Sequence, residues 1–198
     1  MKEDEMGARK VDDERLMNAL MDVFRAYGGE GASLSRLSKA TGLQRASLYH
    51  RFPGGKDEML LAVLRRVDER FDHDVLAPLG ESDEPVRRVK RVVARLREFY
   101  GGGEKSCLFD TLSLQGGSEA MRAHIRGSLE GWIDAFAAIA REAGLSPGVA
   151  RRRAEDALVR IQGALVVARI REDVRVFERV LTELPTLLTE PHRKGSAP

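Results

Sequence analysis

The sequence predicts an all-α protein of about nine helices. Apolar residues recur at helical spacing along most of the chain, and no segment alternates apolar and polar residues as a half-buried strand does. Aromatic residues make up only 6% of the 198 residues, while Ala, Leu, Val and Arg are abundant, which favours helix over sheet. We expect a three-helix N-terminal domain at 10–70, joined by a long fourth helix to a helical C-terminal domain at 80–190.

Four helices are predicted in the N-terminal domain. The first covers about 12–27 and ends at a glycine-rich turn. Ser33 can cap a short second helix, which Gly42 ends. A third, very short helix follows at 44–51, and a fourth covers about 56–76. The apolar stripe of the first helix consists of Leu16, Leu20, Val23, Phe24 and Tyr27.

Five helices are predicted in the C-terminal domain. They cover about 81–100, 106–114, 118–143, 146–170 and 173–188. Prolines stand in the first turn of the first and fourth of these helices, and glycines follow the first three, as is typical of helix starts and ends.

Charge and cysteine content exclude several classes of protein. The chain has 33 Lys and Arg against 31 Asp and Glu, a net charge of +2, so any nucleic-acid binding must come from a local basic patch. A single cysteine, Cys107, excludes an internal disulfide and a multi-cysteine metal site. The N-terminus has no apolar leader, and no apolar run is long enough to cross a bilayer. We expect a cytoplasmic protein without membrane contact.

No pattern typical of an enzyme is present. The four histidines are scattered without metal-ligand spacing, and no nucleophile elbow, P-loop or dinucleotide-binding glycine pattern occurs. We therefore expect no catalytic residue, no metal and no cofactor.

Residues 33–52 have the pattern of a helix-turn-helix. Gly42 can supply the tight turn, while Leu37 and Leu48 fix the angle between the helices from inside. Between Ala32 and Lys56 there are five basic residues and no acidic one, so this segment is a local basic patch. The outward side chains of the third helix that can hydrogen-bond to bases or phosphates are Gln44, Arg45, Ser47 and His50. The alternative is an ordinary helical hairpin with a solvated basic face.

The residues at the end of this segment and after it indicate a particular family. The run Leu48-Tyr49-His50-Arg51-Phe52-Pro53-Gly54-Gly55-Lys56-Asp57-Glu58-Met59-Leu60 resembles the recognition helix, turn and fourth helix of the tetracycline-repressor (TetR/AcrR) family. The turn is one residue longer than the commonest form. The resemblance covers about residues 10–65 closely, and beyond them it rests on helix order.

The resemblance implies a sequence-specific regulator, a repressor that binds a palindromic double-stranded DNA operator and is released by a small molecule. By the same resemblance, Ser33, Tyr49 and Lys56 would hold phosphates, while Gln44, Arg45, Ser47 and His50 would approach bases, with Ala46 among them. Two alternatives remain: a ligand-independent architectural DNA-binding protein, and a small-molecule binder whose DNA motif has degenerated.

The last two helices carry the pattern of a homodimer interface. The final helix has two apolar stripes, which indicates burial on two sides, and the helix before it has small residues that permit close packing. A fully internal pair of helices is the alternative. The predicted interface residues are Ala157, Ile161, Ala164, Phe177, Val180, Leu181 and Leu184.

A pocket for a small apolar ligand is predicted on the middle helices, with plain core packing as the alternative. Its predicted lining consists of Phe99, Tyr100, Cys107, Phe109, Gln115, Met121, His124, Ile125, Trp132 and Gln162.

Overall fold

The computed structural model describes residues 2–113 and 118–190, without the side chains of residues 2–12 and 113. Within these residues the chain is all-α and contains no strand, which confirms the predicted fold class. The described α-helices are α1 (Lys2–Gly31), α2 (Leu34–Thr41), α3 (Arg45–Arg51), α4 (Gly55–Phe71), α5 (Pro85–Phe99), α6 (Leu108–Ser113), α7 (Glu119–Glu142), α8 (Pro147–Arg171) and α9 (Arg175–Thr189).

The chain divides into two compact units. The N-terminal unit comprises Met1–Glu69 and Leu108–Arg126, and the C-terminal unit comprises Arg70–Cys107 and Gly127–Pro198. The predicted C-terminal domain at 80–190 is thereby divided, because α6 and the beginning of α7 group with the N-terminal unit. The reason is a contact between α6 and α1, which lie far apart in the sequence.

The apolar faces of α1 to α4 form the core of the N-terminal unit. Leu20, Phe24 and Leu37 are completely buried. Helical geometry breaks at Gly28, where φ is 66°, so the predicted end near residue 27 corresponds to a kink in α1. At its other end, α1 begins at Lys2, ten residues earlier than predicted, in a segment that contains no proline to stop it.

The fourth helix is shorter than predicted. It ends at Phe71, and the chain continues as a π-helical turn at Asp72–Leu76 and a 3-10 turn at Ala77–Gly80. Pro78 has no backbone N–H, so regular α-helical hydrogen bonding cannot continue through it.

Helix α9 packs against α8 and α5 in the C-terminal unit. Phe177 and Leu181 on α9 are completely buried. Beside them, Arg97 of α5 donates from Nε and Nη2 to the two carboxylate oxygens of Glu178, each at 2.8 Å. These hydrogen bonds favour the ionised carboxylate, so the Arg97 guanidinium lowers the pKa of Glu178.

Two contacts fix the position of α9 at its ends. Near its start lies Gly103, where φ is 104°, and a Cβ atom there would stand 3.0 Å from both Cβ and Cδ1 of Phe177. Near its end, the buried Arg153 of α8 donates to the backbone carbonyls of Leu187, at 2.8 Å, and Glu190.

The residues predicted to contact a partner chain lie mostly inside the C-terminal unit, which corrects that part of the prediction. Six of the seven are buried within the single chain, and Val180 is half-buried. The small residues of α8 permit close packing against α9 of the same chain, so this face is already covered. The six buried positions are Ala157, Ile161, Ala164, Phe177, Leu181 and Leu184. The exposed apolar side chains of α8 are Val159, Val167 and Ile170.

Candidate DNA-binding site

Local hydrogen bonds hold α2 and α3 in a fixed arrangement. The Ser33 hydroxyl oxygen caps α2 by accepting from the backbone N–H of Arg36 at 3.3 Å. At the other end Gly42 takes the left-handed conformation, with φ at 71°, and the chain turns into α3. The Ser38 hydroxyl donates across this turn to the Leu43 carbonyl. The predicted turn residue and cap are therefore where the sequence placed them.

Helix α3 has one buried side and one exposed side. Leu48 is completely buried and anchors the helix to the core of the N-terminal unit. The exposed predicted residues are Gln44, at the N-cap position, followed by Arg45, Ala46, Ser47, Tyr49 and His50. The predicted base-reading side chains are therefore all exposed.

The start of α4 lies beside α3. Gly55 has φ at 67°, and a Cβ atom there would approach Cε1 of Tyr49 to 3.4 Å, so the ring lies over the glycine. The backbone N–H of Gly54 donates to Oε2 of Glu58 at 2.6 Å, which stabilises the first turn of α4. Lys56 follows and is half-buried. The longer turn thus uses a glycine where a positive φ is required.

One side chain of the predicted core of α1 is exposed. Tyr27 is 49% exposed, and the guanidinium of Arg36 lies 4.4 Å from the centre of its ring. Arg36 also donates to the Gly31 carbonyl at 2.9 Å. The sequence does not reveal this contact, because Tyr27 continues the apolar spacing of α1 and Arg36 lies on another helix.

Two of the five basic residues of the helix-turn-helix segment therefore have partners inside the N-terminal unit. Besides Arg36, Arg51 forms an ion pair with Asp13 of α1. In the described part of the chain, the basic residues of this segment with neither an ion pair nor a cation–π contact are Lys39, Arg45 and Lys56.

An open groove of about 670 Å³ separates α3 from α1 and α2. Ser47 and His50 lie on one wall, and Thr41 and Arg15 contribute further polar groups. Ser47 and His50 thus face a concave surface.

The residues predicted to line a ligand pocket are divided between the two units. Phe109, Met121, His124 and Ile125 belong to the N-terminal unit, where His124 lies 3.3 Å from the carboxylate of Asp68. Gln115 lies outside the described residues. The predicted lining residues of the C-terminal unit are Phe99, Tyr100, Cys107, Trp132 and Gln162.

The aromatic members of the C-terminal set pack on one another. The Trp132 ring is stacked on Phe71 with 4.0 Å between ring centres, and Phe71 meets Phe99 edge to face at 5.3 Å. Tyr100 in turn packs edge to face against Phe177 of α9. These side chains form an aromatic cluster in the C-terminal unit.

No three His, Cys, Asp or Glu residues of the described segments are grouped so that they could hold a metal ion. Within residues 2–113 and 118–190, no helix is long and apolar enough to cross a membrane.

Two models of known protein families match separate parts of the chain. Residues 16–63 match the family model of bacterial regulatory proteins of the tetR family, and residues 85–183 match the C-terminal domain of LmrA/YxaF-like transcriptional regulators. The second match alone covers half of the chain.

Similar full-length proteins agree with these matches. The uncharacterized HTH-type transcriptional regulator YxaF of Bacillus subtilis is 21% identical over 92% of this chain and 98% of its own length. The HTH-type transcriptional regulator LmrA, from the same organism, is 20% identical over 88% of this chain and 95% of its own.

The fold agrees as well. A TetR transcriptional regulator from Legionella pneumophila superposes with a TM-score of 0.79 at 17% identity, covering 89% of this chain and 96% of that one. The reduced form of Escherichia coli NemR superposes with a TM-score of 0.74 at 20% identity, covering 91% and 98%. With a helix-turn-helix in the N-terminal unit and an LmrA/YxaF-like C-terminal domain, the chain belongs to the TetR family, and it is a DNA-binding transcriptional regulator and not an enzyme.

Proposed function

We propose that this protein is a repressor that binds a palindromic operator as a homodimer and leaves it when a small apolar ligand binds the C-terminal unit. The exposed surface of α3 carries this proposal. It offers hydrogen-bonding side chains and no carboxylate, on a helix that Leu48 fixes from behind. Such a helix fits the major groove of B-DNA.

The side chains on this surface suit different parts of DNA. Arg45 can donate two hydrogen bonds to the acceptors of guanine, and the Gln44 amide can pair with adenine. The oxygen of Ser33 accepts from Arg36, so its O–H remains able to donate to a phosphate. The start of α2, where Ser33 lies, also has the partial positive charge that favours an anion.

Variants of two basic residues separate base reading from phosphate contact. On DNA from upstream of the protein's own gene, Arg45→Ala should lose about 1–3 kcal/mol of binding free energy, with little effect on a scrambled duplex. Lys56→Ala should weaken binding to both duplexes alike. Lys90→Ala, which removes an exposed lysine of α5, serves as the control and should change neither affinity. Fluorescence anisotropy measures all three, and an equal loss on both duplexes for Arg45→Ala would show that Arg45 contacts only the backbone.

The homodimer follows from the operator and from exposed apolar surface. Two recognition helices are needed to read two half-sites, and Val159, Val167 and Ile170 are exposed on α8. Sedimentation at micromolar concentration should give twice the 22.0 kDa of one chain. Val159→Glu should produce monomer, whereas Val86→Glu, at an exposed valine of α5, should not. A folded wild-type monomer would contradict the proposal.

Ligand release is supported by one buried acceptor. In the described residues, Oε1 of Gln162 on α8 is buried without a hydrogen-bond partner, and a ligand N–H or O–H could satisfy it. Trp132 is the only tryptophan and reports on the same unit. A ligand that shifts Trp132 fluorescence should lower operator affinity, and operator DNA should lower the affinity for that ligand by the same factor.

A ligand-independent architectural DNA-binding protein is the second candidate. The stacking of Trp132 on Phe71 favours it, because one face of the indole is already covered. Under this function, ligands that change Trp132 fluorescence would leave operator affinity unchanged at constant salt.

A further inference from the structure

The open groove beside α3 includes a basic side chain from outside the helix-turn-helix segment. Arg15 of α1 is exposed and lines this groove together with Ser47 and His50. Its guanidinium forms no ion pair with any of the residues that the structure describes. Helix α1 therefore adds one positive charge without a counter-charge beside two side chains that are predicted to approach bases.

The two carboxylates that precede Arg15 in the sequence are engaged by other arginines. Asp13 forms an ion pair with Arg51, the last residue of α3. Glu14 lies 3.8 Å from the guanidinium of Arg66 on α4. Among the described residues that line the groove, none is Asp or Glu. At this groove the charge of Arg51 is thus balanced by a neighbour, whereas the charge of Arg15 is not.

The chemistry of the groove fits a phosphodiester of DNA. Guanidinium and hydroxyl groups are common donors to DNA phosphates, and Arg15 and Ser47 supply one of each. Ala19 and Leu43 add apolar surface to the same groove, against which a deoxyribose can pack. DNA that α3 contacts through Ser47 and His50 lies against this groove, because both side chains are part of its wall.

We infer that Arg15 holds a phosphate of the DNA backbone, and that Asp13 prevents Arg51 from doing so. A phosphate bound to Arg51 would lie beside the Asp13 carboxylate, and like charges in contact repel each other. The backbone contact at this end of α3 then comes from α1 and not from the last residue of α3 itself. This inference rests on the proposed binding of an operator and adds to it a contact outside residues 33–56.

Removal of the Arg15 charge tests the contact. In the homodimer Arg15→Gln removes two phosphate contacts, so it should weaken binding to the operator and to a scrambled duplex alike, by about 10- to 50-fold at physiological salt. Its Tm should equal that of the wild type, because Arg15 is exposed. Arg95→Gln removes the same charge from an exposed position on α5 in the C-terminal unit and should change neither affinity.

A second substitution on α1 tests the role of Asp13. Arg15→Gln/Asp13→Asn should regain about 10-fold in affinity over Arg15→Gln, because Arg51 becomes free to hold a phosphate. The control Arg15→Gln/Asp22→Asn has the same net charge, but Asp22 is an exposed residue of α1 that lies 4.0 Å from Arg25, so this variant should remain weak. Equal recovery in both double variants would show that only net charge matters, and would overturn the role of Asp13.

Single neutral linkages in the operator identify the phosphate. When each phosphate is replaced in turn by a methylphosphonate, the wild type should lose affinity at one position of each half-site where Arg15→Gln loses nothing further. If every replacement weakens both proteins alike, Arg15 holds no backbone phosphate. The same result, together with NMR shifts of His50 on addition of inorganic phosphate that disappear in Arg15→Gln, would assign the groove to a free phosphorylated molecule and overturn the inference.

The outcomes separate this contact from the proposed function. A wild type that binds operator and scrambled duplex equally would remove the proposed operator recognition, whereas the effects of Arg15→Gln would still be expected, because phosphate contacts do not depend on sequence. A wild type that prefers the operator, with an affinity that Arg15→Gln leaves unchanged, would leave the proposed function standing and overturn the contact.

Discussion

Replacing Gly103 with alanine should destabilise the C-terminal unit far more than replacing its neighbour Gly102. Both glycines have a positive φ, at 104° and 68°, which an L-residue adopts at a cost of about 1–2 kcal/mol. Only at Gly103 does the new Cβ atom meet other atoms, 3.0 Å away in the buried Phe177 ring and its Cβ. Overpacking of this kind costs about 1–3 kcal/mol more. We therefore expect a total loss of about 2–5 kcal/mol for Gly103→Ala.

Thermal unfolding followed by circular dichroism measures this difference. In a protein of this size, each kcal/mol lowers the Tm by roughly 2–4 °C. Gly102→Ala serves as the control for backbone strain alone, because its Cβ would meet nothing within 4 Å. Equal Tm values for the two variants would show that Phe177 moves aside without cost, and that the contact at Gly103 does not hold α9 in place.

Three further predictions concern individual hydrogen bonds. The pKa of Asp173 is lowered to about 2, chiefly by a hydrogen bond from the Arg175 side chain. The stabilisation that the ionised Asp173 carboxylate gives the folded state is therefore present above the ordinary carboxyl pKa and is lost as the pH falls towards 2. Arg175→Gln should raise the pKa of Asp173 in an NMR titration, and an unchanged value would contradict this cause. Arg153→Met should leave the carbonyls of Leu187 and Glu190 at the end of α9 without this donor. The free energy of unfolding, measured by chemical denaturation, should fall by about 1–3 kcal/mol, and proteolysis near Glu190 should become faster. A variant as resistant to proteolysis as the wild type would contradict the anchoring role of Arg153. Ser38→Ala should remove the hydrogen bond across the turn before α3 and lower the free energy of unfolding by about 1 kcal/mol. Operator affinity, measured by fluorescence anisotropy, should fall as well. A variant as stable as the wild type would show that the turn does not need this hydrogen bond.

The helix-turn-helix could be predicted closely because its signals are local. A cap at Ser33, a left-handed glycine at Gly42 and a buried Leu48 each act within a few residues, and the structure contains all three. Glycine and proline likewise marked the ends of most other helices. Local geometry depends on neighbouring residues, which a single sequence displays directly.

The faces of the long helices could not be predicted in the same way. Helix α8 has apolar or small residues on more than one side, and only the packing of α9 decides which side is covered. The stripe through Ala157 and Ile161 is buried inside the chain, while Val159 and Val167 are exposed. The spacing of Val159, Val167 and Ile170 was visible in the sequence, but it could not be ranked above the more apolar stripe.

The pairing of Arg51 with Asp13 and the stacking of Arg36 on Tyr27 limit how strongly this regulator depends on ionic strength. With Arg45 assigned to a base, two basic residues of each helix-turn-helix segment, Lys39 and Lys56, remain for phosphate, or four in the proposed homodimer. Each neutralised phosphate releases counterions, so through this segment the logarithm of the binding constant should fall with the logarithm of salt concentration with a slope of about −4. A fourfold rise in salt would then cost roughly a hundredfold in affinity through these four contacts, less than a protein with six or more phosphate contacts loses. Such a protein leaves unrelated DNA readily and depends on base contacts to remain at its operator.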